Sequence, residues 1–354
     1  MTDQLKKLRD GIDGIDESIL QLLNQRAQLA REIGEVKGGG PIYRPEREAQ
    51  VIGRLRERNP GPLPGDAVAH VFTEIISACR SLEESLSVAF LGPRGTFSEE
   101  AAIKQFGGQV RAVPCASIDE VFRQVEAGQI GHGVVPVENS TDGAVSRTMD
   151  LLLATPLTIC GEVLLPVHQC LMSKAGNFDA VKRVFAHAQS LAQCHEWLNQ
   201  QLPKAERIPV VSNADGARRA SEETDSACIG SQSAAVLYQL DVLASNIEDQ
   251  PNNTTRFLVI ANLKPAPSGR DRTSLAMSTR HRPGAMHDLL GPFAEHGVDM
   301  TRLESRPSRT GLWEYVFFVD VVGHQQDPAL AKALEALRDR ASFLKILGSY
   351  PAAF

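Results

Sequence analysis

The chain has 354 residues, 42% hydrophobic and 23% charged, roughly two to three times a typical domain, which predicts two or three domains with real cores. A formal net charge of −6 and a pI near 5.9 argue against nucleic acid or membrane as a partner, while 37 Lys and Arg leave cations for local anion sites. No apolar run reaches the roughly 18–20 residues of a membrane span, the start lacks a signal peptide's apolar stretch, and cysteines without a C-x-x-C pair predict reduced thiols in the cytoplasm. With no H-E-x-x-H, P-loop or dinucleotide glycine motif, neither a metal nor a cofactor is expected.

From the N-terminus, Leu5, Leu8, Ile12, Ile15, Ile19, Leu22, Leu29, Ile33 and Val36 form a heptad seam, predicting one long helix that ends at Gly38-Gly-Gly-Pro41. Shorter helices follow over Pro45–Arg58 and Asp66–Leu86. Two charges interrupt apolar stripes: Arg26 on the first helix and Glu83 on the third. Arg26 alone fits a paired buried arginine or a partner-specifying polar layer. Glu83 adds weight to a functional role, because uncompensated buried charge is costly. Lys37 lies about three turns beyond Arg26 on nearly the same face, whereas Arg9 lies about 25 Å before it. One helix cannot bring Arg9 and Arg26 to one small ligand; an antiparallel second copy can.

Leu8-Arg9, Asn24-Gln-Arg26, Glu35-Val-Lys37, Tyr43-Arg-Pro-Glu-Arg47-Glu48 and Glu83 resemble the all-helical chorismate mutases. The resemblance implies an intertwined dimer that rearranges chorismate to prephenate. Arg26 and Arg9 of the partner subunit would hold the two carboxylates. Lys37 and Glu83 would face the ether oxygen, and Glu48, oriented by Arg47, the ring hydroxyl. A glutamate donates a hydrogen bond only when protonated, so mutase activity is expected to fall as pH rises. Cys79 and Arg44 depart from residues seen in some relatives.

After Ser87, β-rich runs alternate with helices. Strands are expected at Val88–Leu91, Val110–Val113, Gly133–Val137, Leu157–Leu165, Arg183–Phe185, Ile208–Val211, Ala227–Gly230 and Arg256–Ile260, in largely parallel sheets forming two lobes around a cleft. Polar clusters fall at strand ends: Gly92-Pro-Arg-Gly-Thr96-Phe-Ser98, Glu138-Asn139-Ser140, His187-Ala-Gln189-Ser190, Ser212-Asn213 and Asn252-Asn-Thr-Thr255-Arg256-Phe257. Ligands of open α/β sheets sit beyond such ends, although capping and turn chemistry also favours these residues. Together the G-P-x-G-T-F-S turn, the E-N-S segment and the T-R-F triplet resemble prephenate dehydratase. The resemblance implies a periplasmic-binding-protein-like domain that converts prephenate to phenylpyruvate. Thr255 would be the catalytic hydroxyl, Glu138 or a water the proton source, and Arg256 a carboxylate clamp. Thr96, Ser98, Asn139, Ser140 and Gln189 would be pocket donors, and Phe257 a packing wall.

Lys264–Asp271 reads as a linker. Strands at Thr273–Thr279, Met300–Arg306, Trp313–Val322 and Phe343–Gly348, with helices at Gly284–His296 and Pro328–Arg340, give a ferredoxin-like βαββαβ order, with its hairpin turn at Ser308-Arg-Thr-Gly311. This segment resembles an ACT domain, with Gly284 and Ala285 opening a helix and Glu304-Ser305-Arg306-Pro307 as a phenylalanine-binding motif. Met286-His287 departs from the family's first motif. The expectation is a mutase domain at 1–86, a dehydratase domain at 87–264 and an ACT domain at 272–354: an isomerase and carbon–oxygen lyase inhibited by L-phenylalanine, as a homodimer or larger. The competing readings are a dehydratase with an inert helical dimerisation arm and a non-catalytic amino-acid sensor.

Overall fold

The computed structural model describes residues 2–38, 41–280, 282–307 and 315–353, without the side chains of Thr2 and Lys37. The chain forms two compact units: Met1–Leu86 with Phe106–Arg111, and Ser87–Gln105 with Ala112–Phe354.

The first unit holds α1 (Thr2–Lys37), α2 (Pro45–Glu57) and α3 (Gly65–Ser81). Proline at the first helical position starts α2 without losing a bonded N–H. Ile76, Cys79 and Arg80 of α3 are buried with Tyr43. The α1 seam is not: Leu8, Ile15 and Leu22 are 63%, 60% and 63% exposed in the single chain. The third helix stops at Ser81 rather than Leu86, so Glu83 lies in the turn that follows and not on a helical stripe.

The second unit opens with β1 (Ser87–Leu91), α4 (Phe97–Phe106), β2 (Arg111–Cys115), α5 (Ile118–Glu126), β3 (His132–Asn139), β4 (Gly143–Ala144), α6 (Ser146–Ala154) and β5 (Thr158–Pro166). There follow β6 (Cys170–Ser173), β7 (Arg183–His187), α7 (Ala188–Gln193), α8 (His195–Gln201), β8 (Glu206–Val210), α9 (Asn213–Glu222), β9 (Ser226–Gly230), α10 (Gln232–Tyr238), β10 (Asp241–Ser245) and β11 (Thr254–Ala261). One sheet runs β2-β1-β3-β11-β5, with β4 beside β3, and another runs β10-β6-β9-β7-β8. The chain therefore leaves the first sheet after β5 and returns as β11. That return makes β11 antiparallel to both β3 and β5, while β6 is antiparallel to β9 and β10. The expected largely parallel sheets are mixed: β1–β3, β7–β8 and β7–β9 are parallel.

The same unit ends with β12 (Asp271–Ser278), α11 (Ala285–Glu295), β13 (Met300–Pro307), β14 (Tyr315–Val322), α12 (Pro328–Arg340) and β15 (Phe343–Pro351), in an antiparallel sheet β13-β14-β12-β15. The turn read at 308–311 and Trp313 lie outside the described residues. Alternation splits this sheet's side chains between two cores. Leu275, Met277 and Val319 pack on α11 and α12 through Leu289, Phe293 and Leu334. Ala276, Phe318 and Leu347 pack with Val135, Ile159 and Leu258 of the first sheet. The segment read as a linker is fastened, with the Leu263 carbonyl accepting from Thr158 at 2.6 Å and the Pro265 carbonyl 3.2 Å from His324 Nε2. Among the described residues no helix is long and apolar enough to cross a membrane.

Candidate active sites

In the helical unit, α2 and α3 meet at a buried charge pair. Arg80 Nη1 donates to Glu48 Oε1 at 2.5 Å and Nη2 to the Phe106 carbonyl at 2.5 Å. The Arg80 guanidinium also lies 5.5 Å from the Tyr43 ring centre. Burial pushes the Glu48 carboxyl above its ordinary value, and Arg80, then Arg26, pull it part of the way back. Arg26 of α1 is thus within electrostatic reach of Glu48. The Glu83 carboxylate sits against α1 at Gly34, where a Cβ would stand 2.9 Å from Oε2, so glycine permits this approach. Arg9 is exposed, and the Lys37 side chain lies outside the described residues. Arg47, expected to orient Glu48, is exposed as well; Arg80 has that place. Sequence reasoning passed over Arg80, although it stands on the third helix one turn before Glu83.

In the second unit a cavity of about 640 Å³ opens between the first two sheets. It is lined by Thr96 and Ser98 at the start of α4, Asn139 at the end of β3, Gln189 and Ser190 at α7, Ser212 and Asn213 at α9, and Thr255 at the start of β11. Gly95 turns the chain into α4 with φ +79, close against Ala234 of α10, a conformation suited to glycine. Ser212 caps α9 by accepting from the Asp215 N–H at 3.1 Å.

Asn139 organises the floor. Its Nδ2 donates to Asn253 Oδ1 and Thr255 Oγ1, both at 2.8 Å. Its Oδ1 accepts from the N–H groups of Thr141 at 3.0 Å and Asp142 at 3.1 Å, which fixes the amide's orientation. Thr255 therefore accepts on one side and keeps its own proton for a group in the cavity. Asp142 accepts from Gln189 and Gln193 across the cleft, and Asn213 joins the His187 N–H to Ser190 Oγ. Asp142 carried no sequence signal of its own, and Asn253 lay within the Asn252–Phe257 cluster without a role assigned to it.

Four expected cleft residues lie elsewhere. In register, Thr255 pairs with Asn139 and Arg256 with Glu138; successive strand residues face opposite ways, so Arg256 and Glu138 point away from the cavity. Arg256 is buried and donates to Glu162 at 2.8 Å, Asp320 at 2.5 Å and Tyr350 at 2.9 Å, which leaves it no carboxylate to clamp. Glu138 Oε2 stands 2.7 Å from Arg302 Nε and is not placed as the proton source. Ser140 Oγ accepts from the Thr254 N–H at 2.9 Å; it braces the loop and is absent from the lining. Phe257 is buried between β3 and β5, outside the cavity wall. No lysine or arginine lines the cavity among the described residues.

At the third sheet, Gly284 caps α11 at φ 78 with Ala285 behind it. Along β13, Arg302, Glu304 and Arg306 are partly buried and alternate with exposed Leu303 and Ser305. Arg306, expected to touch an effector, instead reaches Asp150 of α6 at 3.2 Å, because alternation turns it toward the catalytic sheet.

Family models match three stretches: chorismate mutase type II at residues 8–84, prephenate dehydratase at 88–265 and ACT domain at 273–339. A bifunctional chorismate mutase/prephenate dehydratase of Neisseria gonorrhoeae is 51% identical, covering 98% of this chain and 96% of that protein. The crystal structure of Arthrobacter aurescens prephenate dehydratase in complex with L-Phe superposes with TM-score 0.70 at 33% identity, covering 75% of this chain and 90% of that one. A structure presented as a novel type of quorum quenching acylase also has TM-score 0.70, at 30% identity over 75% of this chain and 98% of its own.

Proposed function

This chain belongs to the bifunctional chorismate mutase/prephenate dehydratase family, and from that premise we infer that it rearranges chorismate to prephenate and then removes carbon dioxide and water to give phenylpyruvate, under inhibition by L-phenylalanine. The acylase likeness means that fold alone does not decide the chemistry. The Thr255–Asn139 pair at the cavity floor carries the dehydratase reading. The ring carboxylate leaves as carbon dioxide, its electron pair enters the ring, and hydroxide departs from the opposite carbon. Thr255, accepting from Asn139, donates to that departing oxygen, and solvent supplies the proton that completes water. Thr96, Ser98 and the opening amides of α4 and α9 receive the carboxylates.

The mutase reading rests on Arg26, Lys37, Glu48 and Glu83 with Arg9 of the partner subunit. The exposed α1 seam calls for that partner: burying one such side chain is worth about 1.5–3 kcal/mol. Catalysis there is electrostatic preorganisation around a compact conformer. We assign residues 1–86 to the mutase, 87–264 to the dehydratase and 272–354 to the ACT domain of a cytoplasmic homodimer or larger assembly. The effector would sit at Gly284, Ala285, Glu304 and Ser305, between protomers. Given chorismate, the protein should form phenylpyruvate; Thr255→Val should stop at prephenate with the mutase rate unchanged. A variant that still makes phenylpyruvate would remove Thr255 from the mechanism.

A further inference from the structure

The strands that carry Asn139 and Thr255 have a back face, and one rung of it is clamped by one rung of the third sheet. Glu138 stands opposite Arg256 in the β3–β11 register, and Arg302 stands opposite Asp320 in the β13–β14 register. The two rungs pair crosswise: Glu138 with Arg302 at 2.7 Å and Arg256 with Asp320 at 2.5 Å. Arg256, Asp320 and Arg302 are largely withdrawn from water and Glu138 partly so, and pairs with buried members act strongly on geometry.

Arg302 also occupies the strand of the Glu304-Ser305-Arg306 motif. Its Nη2 lies 4.0 Å from Glu304 Oε2, and Arg306 on the same face holds Asp150. The Arg302 Nε and Nη2 atoms are buried without a well-aimed hydrogen bond, so charge alone holds Glu138 and the pair can re-aim when β13 shifts. Glu138 is chain-adjacent to Asn139, whose amide fixes Thr255 at 2.8 Å.

We propose that Arg302 is a positioning residue for the dehydratase reaction, acting through Glu138 on the Asn139–Thr255 pair, and that a ligand on β13 changes turnover by this route. The inference rests on the dehydratase and phenylalanine readings above. A shift of about 1 Å at a reacting group costs up to a hundredfold in rate, so a small movement of β13 suffices.

The test uses the full chain with Arg302→Gln, Glu138→Gln, the double variant and Arg302→Lys. Mutase turnover reports intact folding, prephenate kinetics with and without L-phenylalanine report coupling, and calorimetry reports phenylalanine affinity. Each single Gln variant should lower kcat by about tenfold with KM within about twofold, keep phenylalanine binding, and reduce inhibition to less than about twofold. The double variant should be no worse than the worse single, because the two residues act as one unit, and Arg302→Lys should recover part of the coupling. Intact inhibition in both single variants, or effects that multiply in the double, would overturn the route. Loss of phenylalanine binding in Arg302→Gln would overturn it too, making Arg302 an effector ligand. If Arg302→Gln fails to fold, Glu138→Gln and Arg302→Lys decide. A wild-type protein without dehydratase turnover would instead refute the functional reading beneath.

Discussion

Arg256→Met separates two roles for the arginine beside Thr255. As the structure has it, the guanidinium ties β11 to Glu162 on β5 and to Asp320 and Tyr350 on the third sheet. Removing one member of a buried ion pair costs about 3–5 kcal/mol. The lower end applies here, because the abandoned acids keep other partners: Glu162 retains Arg272 at 2.6 Å and the Ala353 N–H at 2.9 Å, and Asp320 retains Ser274 at 2.5 Å. About 3 kcal/mol in a unit of this size lowers Tm by about 6–12 °C. The protein stays folded, since native stabilities are about 5–15 kcal/mol. The prephenate KM should hold within about threefold while kcat falls, because Thr255 shares the loosened strand. A carboxylate clamp would behave oppositely. Losing two charge-assisted hydrogen bonds, about 1.5–3 kcal/mol each, would raise KM about a hundredfold or more and leave Tm in place. Calorimetric melting beside steady-state kinetics distinguishes the two. A Tm within about 2 °C of wild type together with that rise in KM would refute the placement of Arg256 behind the sheet.

Two further outcomes are expected in the helical unit. Arg9→Ala and Arg26→Ala should each abolish mutase activity, yet mixing the two variants under exchanging conditions should restore about a quarter of the wild-type rate, since half the dimers are mixed and each has one intact site of two. A mixture no better than its components would place both arginines in one subunit's site or in none. Burial raises the Glu48 carboxyl above 4.5, so its contribution to stability is fully present below that value and is lost as pH rises through the native one. Relative to Glu48→Gln, the wild-type α2 and α3 should lose hydrogen-exchange protection as pH is raised above the ordinary carboxylate value of 4.5, and an equal pH dependence of protection in the two proteins would count against the effect.

What could be read ahead of the structure followed the reach of each signal. The α1 heptads and the βαββαβ order are local patterns, and both elements formed where the periods put them. The antiparallel β11 is a long-range choice: Thr255 pairs with Asn139 across 116 positions, and nothing in Thr254–Ala261 says which strands it will join. The end of α3 at Ser81 carries no glycine or proline stop, so the apolar stripe ran on through Glu83 without objection. The facing of Glu138 and Arg256, by contrast, was available. Once Asn139 and Thr255 are placed in a cleft, the period of two turns their chain neighbours away. Treating E-N and T-R as polar clusters concealed that alternation.

The same rule bears on why the proposed dehydratase cleft holds its dianion without a lysine or arginine in the lining. In the mutase reaction both carboxylates are spectators, so full cations can grip them without opposing the chemistry. In the dehydratase reaction the ring carboxylate gives its electron pair to the ring and leaves as neutral carbon dioxide. A guanidinium on that group would stabilise the ground-state anion more than the transition state, which raises the barrier. Helix N-termini and neutral donors are gentler: each N-terminus carries about half a unit charge, and α4 and α9 both begin at the cavity. A clamp at Arg256 would have worked against the step it was meant to serve. Turned to the back of the strand, the arginine instead stiffens β11 where Thr255 must meet the leaving oxygen.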